Sequence, residues 1–367
     1  MASSQTPVRA SSASTLILLM AGTAAAAEGT CPTTNRAVLL RKRPTGQMSG
    51  ENVQLVELPK PAELADGEVL VRNLYASLDP TQRIWASDDP QYMAPTPLDE
   101  PIRAFTLGQV ERSKDPALPE GSYVTGVGNI QSYYKTSAQQ GATQVSADPQ
   151  VPLTAHLSVL SVVIGLTAWI GVHDILGVAA GETVVISAAS GAVGSLAGQL
   201  AKLLGARVIG IVGSDEKARL LIDEYGFDAA LNRKVDEPTL IAQLREAAPN
   251  GVDAYFDNTG GVSTEAVLHV VNNNARVALC GVISGYNTGD MSLRNFQMLL
   301  HRRVMVKGFI CVDHIGKYAQ AKAELSELVR AGKLKYREDI QEGLENYVPA
   351  LNRLFDGSNS GKLLLKI

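Results

Sequence analysis

"TVVISAASGAVGSLAGQLAKLLGARVIGIVGSDEK", Thr183 to Lys217, sets a turn of small residues and a run with helical spacing between two apolar, β-branched segments. "TVVIS" reads as a short buried strand, and "GSLAGQLAKLL" repeats its apolar residues at helical intervals. Strand, small-residue turn, helix and second strand "RVIGIVG" follow in the order of a dinucleotide-binding β-α-β unit. In "AASGAVG", Gly191 lets the backbone approach a pyrophosphate at the helix amino terminus, and Gly194 lets the helix lie close on the strand. Ala192 and Val193 between them count among the cofactor contacts, and Ala188 stands where the first glycine of such a turn usually stands. The alternative is a tight turn that holds no ligand.

The end of the second strand chooses between dinucleotides. A strand that serves NAD typically ends in Asp or Glu, which takes the ribose hydroxyls, whereas this one ends in Gly213 and Ser214. Lys217 follows at the start of the next helix, and Arg233 with Lys234 follows the next expected strand, so cations stand ready for a 2′-phosphate. NADPH is the expected cofactor. Asp215 or Glu216 turned inward would return the site to NAD.

From Val159 onward, strand and helix patterns alternate through "VDAYFDNTG", "ARVALCG" and "RVMVKGFI", which predicts a doubly wound parallel sheet in an α/β fold. Residues 36 to 75 read instead as short strands bounded by Pro and Gly. "SDDPQYMAPTPLDEP" carries Pro90, Pro95, Pro97 and Pro101, which forbids helix or central strand there and predicts a long loop. A helical run near residues 314 to 334 leads to a terminal strand, "GKLLLKI".

A chain of 367 residues suits two domains and one cleft. Its 33 Lys and Arg against 37 Asp and Glu, with no basic block, carry no nucleic-acid footprint. Cys31, Cys280 and Cys311 are odd in number and widely spaced, which fits a reducing compartment rather than a disulfide framework. Residues 1–30 differ in composition from the rest and read as a leader, either a targeting segment or a disordered tail. Its apolar run is well short of the roughly 20 residues that span a bilayer. The expected location is the cytoplasm, or a plastid or mitochondrion if the leader is a transit peptide.

With these residues in hand, the chain resembles the zinc-independent medium-chain dehydrogenase/reductases, and among them the alkenal/one reductases that include plant double-bond, prostaglandin and curcumin reductases. The matching runs are "NLYASLDPTQR", "LTAWIG", "SAASGAVGSLAGQLAK", "GSDEK", "YFDNTGG", "ALCGVISGYN" and "GSNSGK", in that order. The resemblance implies a GroES-like, mostly-β catalytic domain from residues 31–155 and 316–367, interrupted by a Rossmann domain at 156–315 that binds NADP. It also implies that Ser214, Lys217 and Arg233 meet the 2′-phosphate end, and that Asn258, Cys280 and Asn359 line the cofactor. Tyr286 would face the substrate. Thr81, Phe105 and Trp169 would line the substrate pocket, each standing where relatives carry tyrosine. Bland roles stay open beside these: a strand-end turn for Asn258, a small buried hydrophobe for Cys280, a solvated charge for Lys217 and a packing role for Tyr286. Relatives are often dimers, so a homodimer is the expectation by resemblance.

The five histidines show no HExxH or Cys/His spacing, so no metal site is expected. Without a metal to polarise an alcohol, the expected reaction is hydride transfer from NADPH to the β-carbon of an α,β-unsaturated aldehyde or ketone. Tyr286 is the candidate donor to the developing enolate. One rival reading is an NADPH quinone reductase. Another, of a different class, is a non-catalytic NADPH-binding redox sensor.

Overall fold

Val184, Val185 and Ile186 are all fully buried, as a strand covered on both faces requires, and the computed structural model places them at the centre of a parallel sheet. It describes residues 33–367; the leader and Cys31 lie outside the described residues. Residues Thr34–Ile367 form one compact unit. Its strands are β1 (Thr34–Leu40), β2 (Val53–Pro59), β3 (Val69–Ser77), β4 (Phe105–Ser113), β5 (Tyr123–Val127), β6 (Tyr133–Thr136) and β7 (Thr143–Val145). Next come β8 (Thr183–Ser187), β9 (Arg207–Val212), β10 (Ala229–Asn232), β11 (Val252–Asp257), β12 (Val271–Leu279) and β13 (Met305–Gly308). Two strands close the chain, β14 (Glu338–Glu342) and β15 (Lys362–Lys366).

β8 to β13 form a six-stranded sheet in the order β10-β9-β8-β11-β12-β13, with every pair parallel. Chain direction through the sheet reverses between β8 and β11, and the crevice outside such a switch point is where open parallel sheets bind ligands. Alternation along β8 builds the layers. Val184 and Ile186 meet Leu196, Ala197 and Leu200 of the helix Ala192–Leu203, while Val185 meets Ile209, Ile211 and Tyr255 in a second cluster that holds Leu240 and Leu244. The helix after β8 lies close because Gly194 has no side chain: a Cβ there would stand 2.5 Å from the Ala188 carbonyl oxygen. Ala188 itself adopts φ 46°, a left-handed backbone that glycine takes at less cost.

β1 and β2 make an antiparallel hairpin, and the remaining strands build a seven-stranded sheet in the order β14-β15-β3-β4-β5-β7, with β6 also on β3. The last strand is interior: β15 pairs parallel with β14 and antiparallel with β3, Leu364 opposite Ser77. The α/β architecture expected from the sequence, a mostly-β sheet beside a doubly wound parallel one, is the one found. Residues 86–100 contain neither helix nor strand, as their prolines dictate. They are nonetheless pinned: the Thr96 N–H donates to the Trp85 carbonyl at 2.7 Å, Arg103 donates to Ala94 at 2.7 Å, and Gln91 donates to Ile84 at 3.1 Å. No helix among the described residues is long and apolar enough to cross a membrane.

Gly194→Ala forces its methyl group against backbone atoms that cannot swing aside. The variant is expected to lose about 1–3 kcal/mol of stability in denaturant unfolding. A change within error would show that the helix docks more loosely than described.

Candidate active site at the switch point

β8 and β11 end side by side, and their ends are tied through Asp257. This carboxylate is 1% exposed. Its Oδ1 accepts from the Ser187 hydroxyl at 3.1 Å, the Tyr255 hydroxyl at 2.9 Å and the N–H groups of Thr259 and Gly260 at 2.9 Å each, and its Oδ2 accepts from the Thr264 hydroxyl. Asn258 closes the junction by donating from Nδ2 to the Ser187 carbonyl at 2.7 Å. Asn258 is thus both the strand-end turn and part of the wall of the cleft that opens there.

The cleft has a volume of about 280 Å3 and a mostly apolar lining. The dinucleotide turn, Gly191 to Gly194, forms one side, together with Asn258, Cys280 and Tyr286; Thr81, Tyr92, Phe105 and Asn359 come from the β-rich part of the chain. A bridge between Gly191 and Gly361 brings the two parts together. The helix Ala192–Leu203 begins at this turn, so its free N–H groups and positive end face the space where an anion would lie. Asn359 is buried and spans its own loop, donating to the Gly361 carbonyl at 3.0 Å. Burial pushes the Cys280 thiol up, so it stays neutral.

Tyr286 is half-buried, and its hydroxyl oxygen accepts the Val282 N–H at 3.3 Å. That bond consumes a lone pair and leaves the phenolic hydrogen free to donate. Burial raises its pKa to about 12, which keeps the proton in place across the physiological range. The Thr81 hydroxyl oxygen is buried in the same cleft and has no hydrogen-bond partner.

Trp169 does not reach this space. Thr167 lines the cleft, and residues two apart on a helix face opposite sides, so Trp169 on the helix Thr167–Ile170 turns into the core. There its indole N–H donates to Glu324 at 2.8 Å and its ring lies 4.7 Å from that of His173.

Ser214, Lys217 and Arg233 gather away from the cleft lining, beyond the ends of β9 and β10. The Ser214 hydroxyl caps the helix Asp215–Asp223, accepting the Lys217 N–H at 3.3 Å. The Lys217 ammonium donates to the Gly357 carbonyl at 2.7 Å, and burial lowers its pKa. The Arg233 N–H donates to the Val212 carbonyl at 2.8 Å, and its guanidinium makes no salt bridge among the described residues. Asp215, the residue that could have favoured NAD, is exposed and accepts from Asn232 at 2.8 Å; Glu216 is exposed. The residues present therefore fit a dinucleotide: a glycine turn at a helix amino terminus, and a cationic corner where the second strand ends.

Two families match the chain, the N-terminal domain of oxidoreductase over residues 36–145 and zinc-binding dehydrogenase over residues 192–328. The NADP(+)-dependent 2-alkenal reductase of Nicotiana tabacum is 35% identical over 337 residues, which cover 91% of this chain and 97% of the relative. The chain belongs to the alkenal-reductase-like group of the medium-chain dehydrogenase/reductases. The NADPH-dependent curcumin reductase of Escherichia coli is 34% identical, covering 91% of this chain and 97% of that one. The crystal structure of CurA in complex with NADPH from Vibrio vulnificus superimposes with a TM-score of 0.83 at 35% identity, over 90% of this chain and 98% of that one.

Although one matching family is described as zinc-binding, the described residues do not offer a donor set that fits zinc. No group of three or more His, Cys, Asp or Glu among the described residues is placed to hold a metal ion. The one acidic side chain in the cleft lining, Asp79, is already engaged. It sits 5% exposed against Lys362, 3% exposed, whose ammonium donates to the Asp79 carboxylate at 2.8 Å and to the Leu78 carbonyl at 2.7 Å. The Ser77 hydroxyl donates to the other carboxylate oxygen. Sequence reading placed both residues inside matching runs without pairing them, because nothing local joins positions 283 apart. Tyr92 was likewise missed. Its loop stood out for its prolines, but nothing in the sequence marked that tyrosine.

Lys362→Met leaves the Asp79 carboxylate buried without its cation. The expected loss is about 3–5 kcal/mol in equilibrium unfolding. Adding Asp79→Leu to that variant should recover part of it, and a double variant no better than the single one would show that the pair does not act as a unit.

Proposed function

We propose that the protein reduces the carbon–carbon double bond of α,β-unsaturated aldehydes and ketones with NADPH. The observation that carries this reading is Tyr286: a phenol held in an apolar cleft beside the dinucleotide turn, its oxygen steadied by a backbone N–H and its hydrogen unspent. The relatives named for 2-alkenal and curcumin reduction support the substrate class. The quinone oxidoreductase of Escherichia coli, 22% identical with a TM-score of 0.73, shares the fold and adds nothing on substrate.

NADPH, when bound, supplies the hydride for the β-carbon. The turn from Gly191 to Gly194 receives its pyrophosphate at the helix amino terminus, and Lys217, Arg233 and Ser214 take the 2′-phosphate. As the double bond is reduced, negative charge gathers on the carbonyl oxygen, and the Tyr286 hydroxyl donates to it. The lining around this donor is mostly apolar, which offers it few competing partners. With two of the expected pocket tyrosines replaced by Thr81 and Phe105, the lining suits short alkenals or apolar enones. We infer further that the molecule is a homodimer paired along β13, an edge strand that exposes Met305 and Val306.

Purified protein offered a 2-alkenal, a cyclic enone and a quinone should consume NADPH with the first two and release the saturated carbonyl, identified by mass spectrometry. Hydroquinone as the sole product would support the quinone reading, and nucleotide binding without turnover would support the redox sensor. Tyr286→Phe should lower kcat by on the order of 10²-fold while leaving NADPH affinity unchanged. Arg233→Ala combined with Lys217→Ala should weaken NADPH binding by roughly 10- to 100-fold and leave NADH binding alone; equal weakening of both would move the 2′-phosphate elsewhere.

A further inference from the structure

The Tyr286 hydroxyl can hold the carbonyl oxygen, but reducing the double bond also requires a proton at the α-carbon, and a group that gives one away must recover it from water. Tyr286 is poorly placed for that exchange, being half-buried beneath the Val282 N–H. Tyr92 has what Tyr286 lacks. Its side chain lines the same cleft and is also 47% exposed, so it touches the cleft on one side and solvent on the other.

The local structure holds it there. The Trp85 indole N–H donates to the Tyr92 hydroxyl oxygen at 2.9 Å, again occupying a lone pair and leaving the phenolic hydrogen free. Trp85 closes the helix Thr81–Trp85 and is 4% exposed, so the donor is fixed in the core. The residues before and after Tyr92 are anchored by Gln91 to the carbonyls of Ile84 and Ser87 and by Arg103 to that of Ala94. The Arg103 guanidinium lies 5.9 Å from the Trp85 ring, placing a positive charge near the phenol. Burial, with the nearby Cys311 and Asp79, raises the Tyr92 pKa, and the Trp85 N–H and the Arg103 charge offset part of that rise, so the phenol stays protonated and able to act as an acid. Tyr92 and Tyr286 line the same cleft, one on the β-rich side and one beside the dinucleotide turn.

We propose that Tyr92 is a second catalytic residue, the acid that protonates the α-carbon while Tyr286 holds the carbonyl oxygen. The inference rests on the enone-reductase reading. After the hydride and its electron pair have formed the β-carbon–hydrogen bond, the substrate is an enolate. The Tyr92 O–H bond breaks, the enolate electron pair takes the proton to form the α-carbon–hydrogen bond, and the phenolate is reprotonated by water at its exposed edge.

Tyr92→Phe removes the hydroxyl, keeps the ring and alters a half-exposed position, so the fold survives. With a 2-alkenal in D2O, wild type should place deuterium on one face of the α-carbon. The variant should lose on the order of 10²-fold in kcat and give product with deuterium on both faces, while its NADPH dissociation constant stays unchanged. A readout without turnover follows from reversibility: with NADP+ bound, wild type should exchange one of the two α-hydrogens of the saturated aldehyde for deuterium, measured by NMR, and the variant should not. Wild-type kcat, single-faced deuteration and unchanged exchange in Tyr92→Phe overturn the role of Tyr92 alone. A wild-type protein that reduces no enone overturns the parent reading and this one with it, a failure recognisable because it occurs in the unsubstituted enzyme.

Discussion

The carboxylate of Asp257 is the constraint around which the site is built. A buried charge is tolerated when hydrogen bonds replace the water it has lost, and this one accepts from two backbone N–H groups and from the hydroxyls of Ser187, Tyr255 and Thr264. Those donors come from the ends of β8 and β11, the turn after β11 and the helix Gly261–Leu268. By demanding all of them at once, the carboxylate fixes the strand ends at the point where the sheet reverses direction. The wall formed by Asn258 and the neighbouring segment that carries Cys280 inherit that rigidity, and the N–H groups of Cys280 and Gly281 also bond to the Asp257 main-chain carbonyl.

The cleft combines a mostly apolar lining with a few hydrogen-bond donors whose oxygens are already engaged. Val282 donates to Tyr286 and Trp85 donates to Tyr92, so each phenol presents its hydrogen rather than its oxygen. The buried Lys362–Asp79 pair follows a different logic. Each charge is largely balanced by the other and by neighbouring oxygens, and what remains of the Asp79 field helps raise the pKa of Tyr92 and Cys311 in the cleft.

What the sequence disclosed was whatever local order controls. The β8 unit was legible because strand, turn and helix are adjacent in the chain, and a continuous apolar run gives way to a 3.6-residue period within a few residues. Tyr286, Asn258, Cys280, Asn359, Thr81 and Phe105 stand on the cleft wall, and all but Phe105 sit in motifs short enough to be read along the chain. Trp169 was misjudged because family position says which residue occupies a helix but not which face it presents when π-helical turns precede and follow it. Tyr92 and the Lys362–Asp79 pair were illegible for a more basic reason: their partners are set by the folded chain, through contacts that no spacing rule anticipates.

The interior position of β15 has a consequence for the order of events during synthesis. Strand β3 emerges early, yet one of its sheet neighbours, β15, is made much later, and the segment leading into β15 supplies Asn359, Gly361 and Lys362 to the cleft. While the ribosome still covers these residues, the parallel sheet between them can already close on contacts of its own, whereas the mostly-β sheet keeps an open seam along β3. The finished cleft therefore assembles only after β15 has left the exit tunnel, however early the residues of its other walls are made.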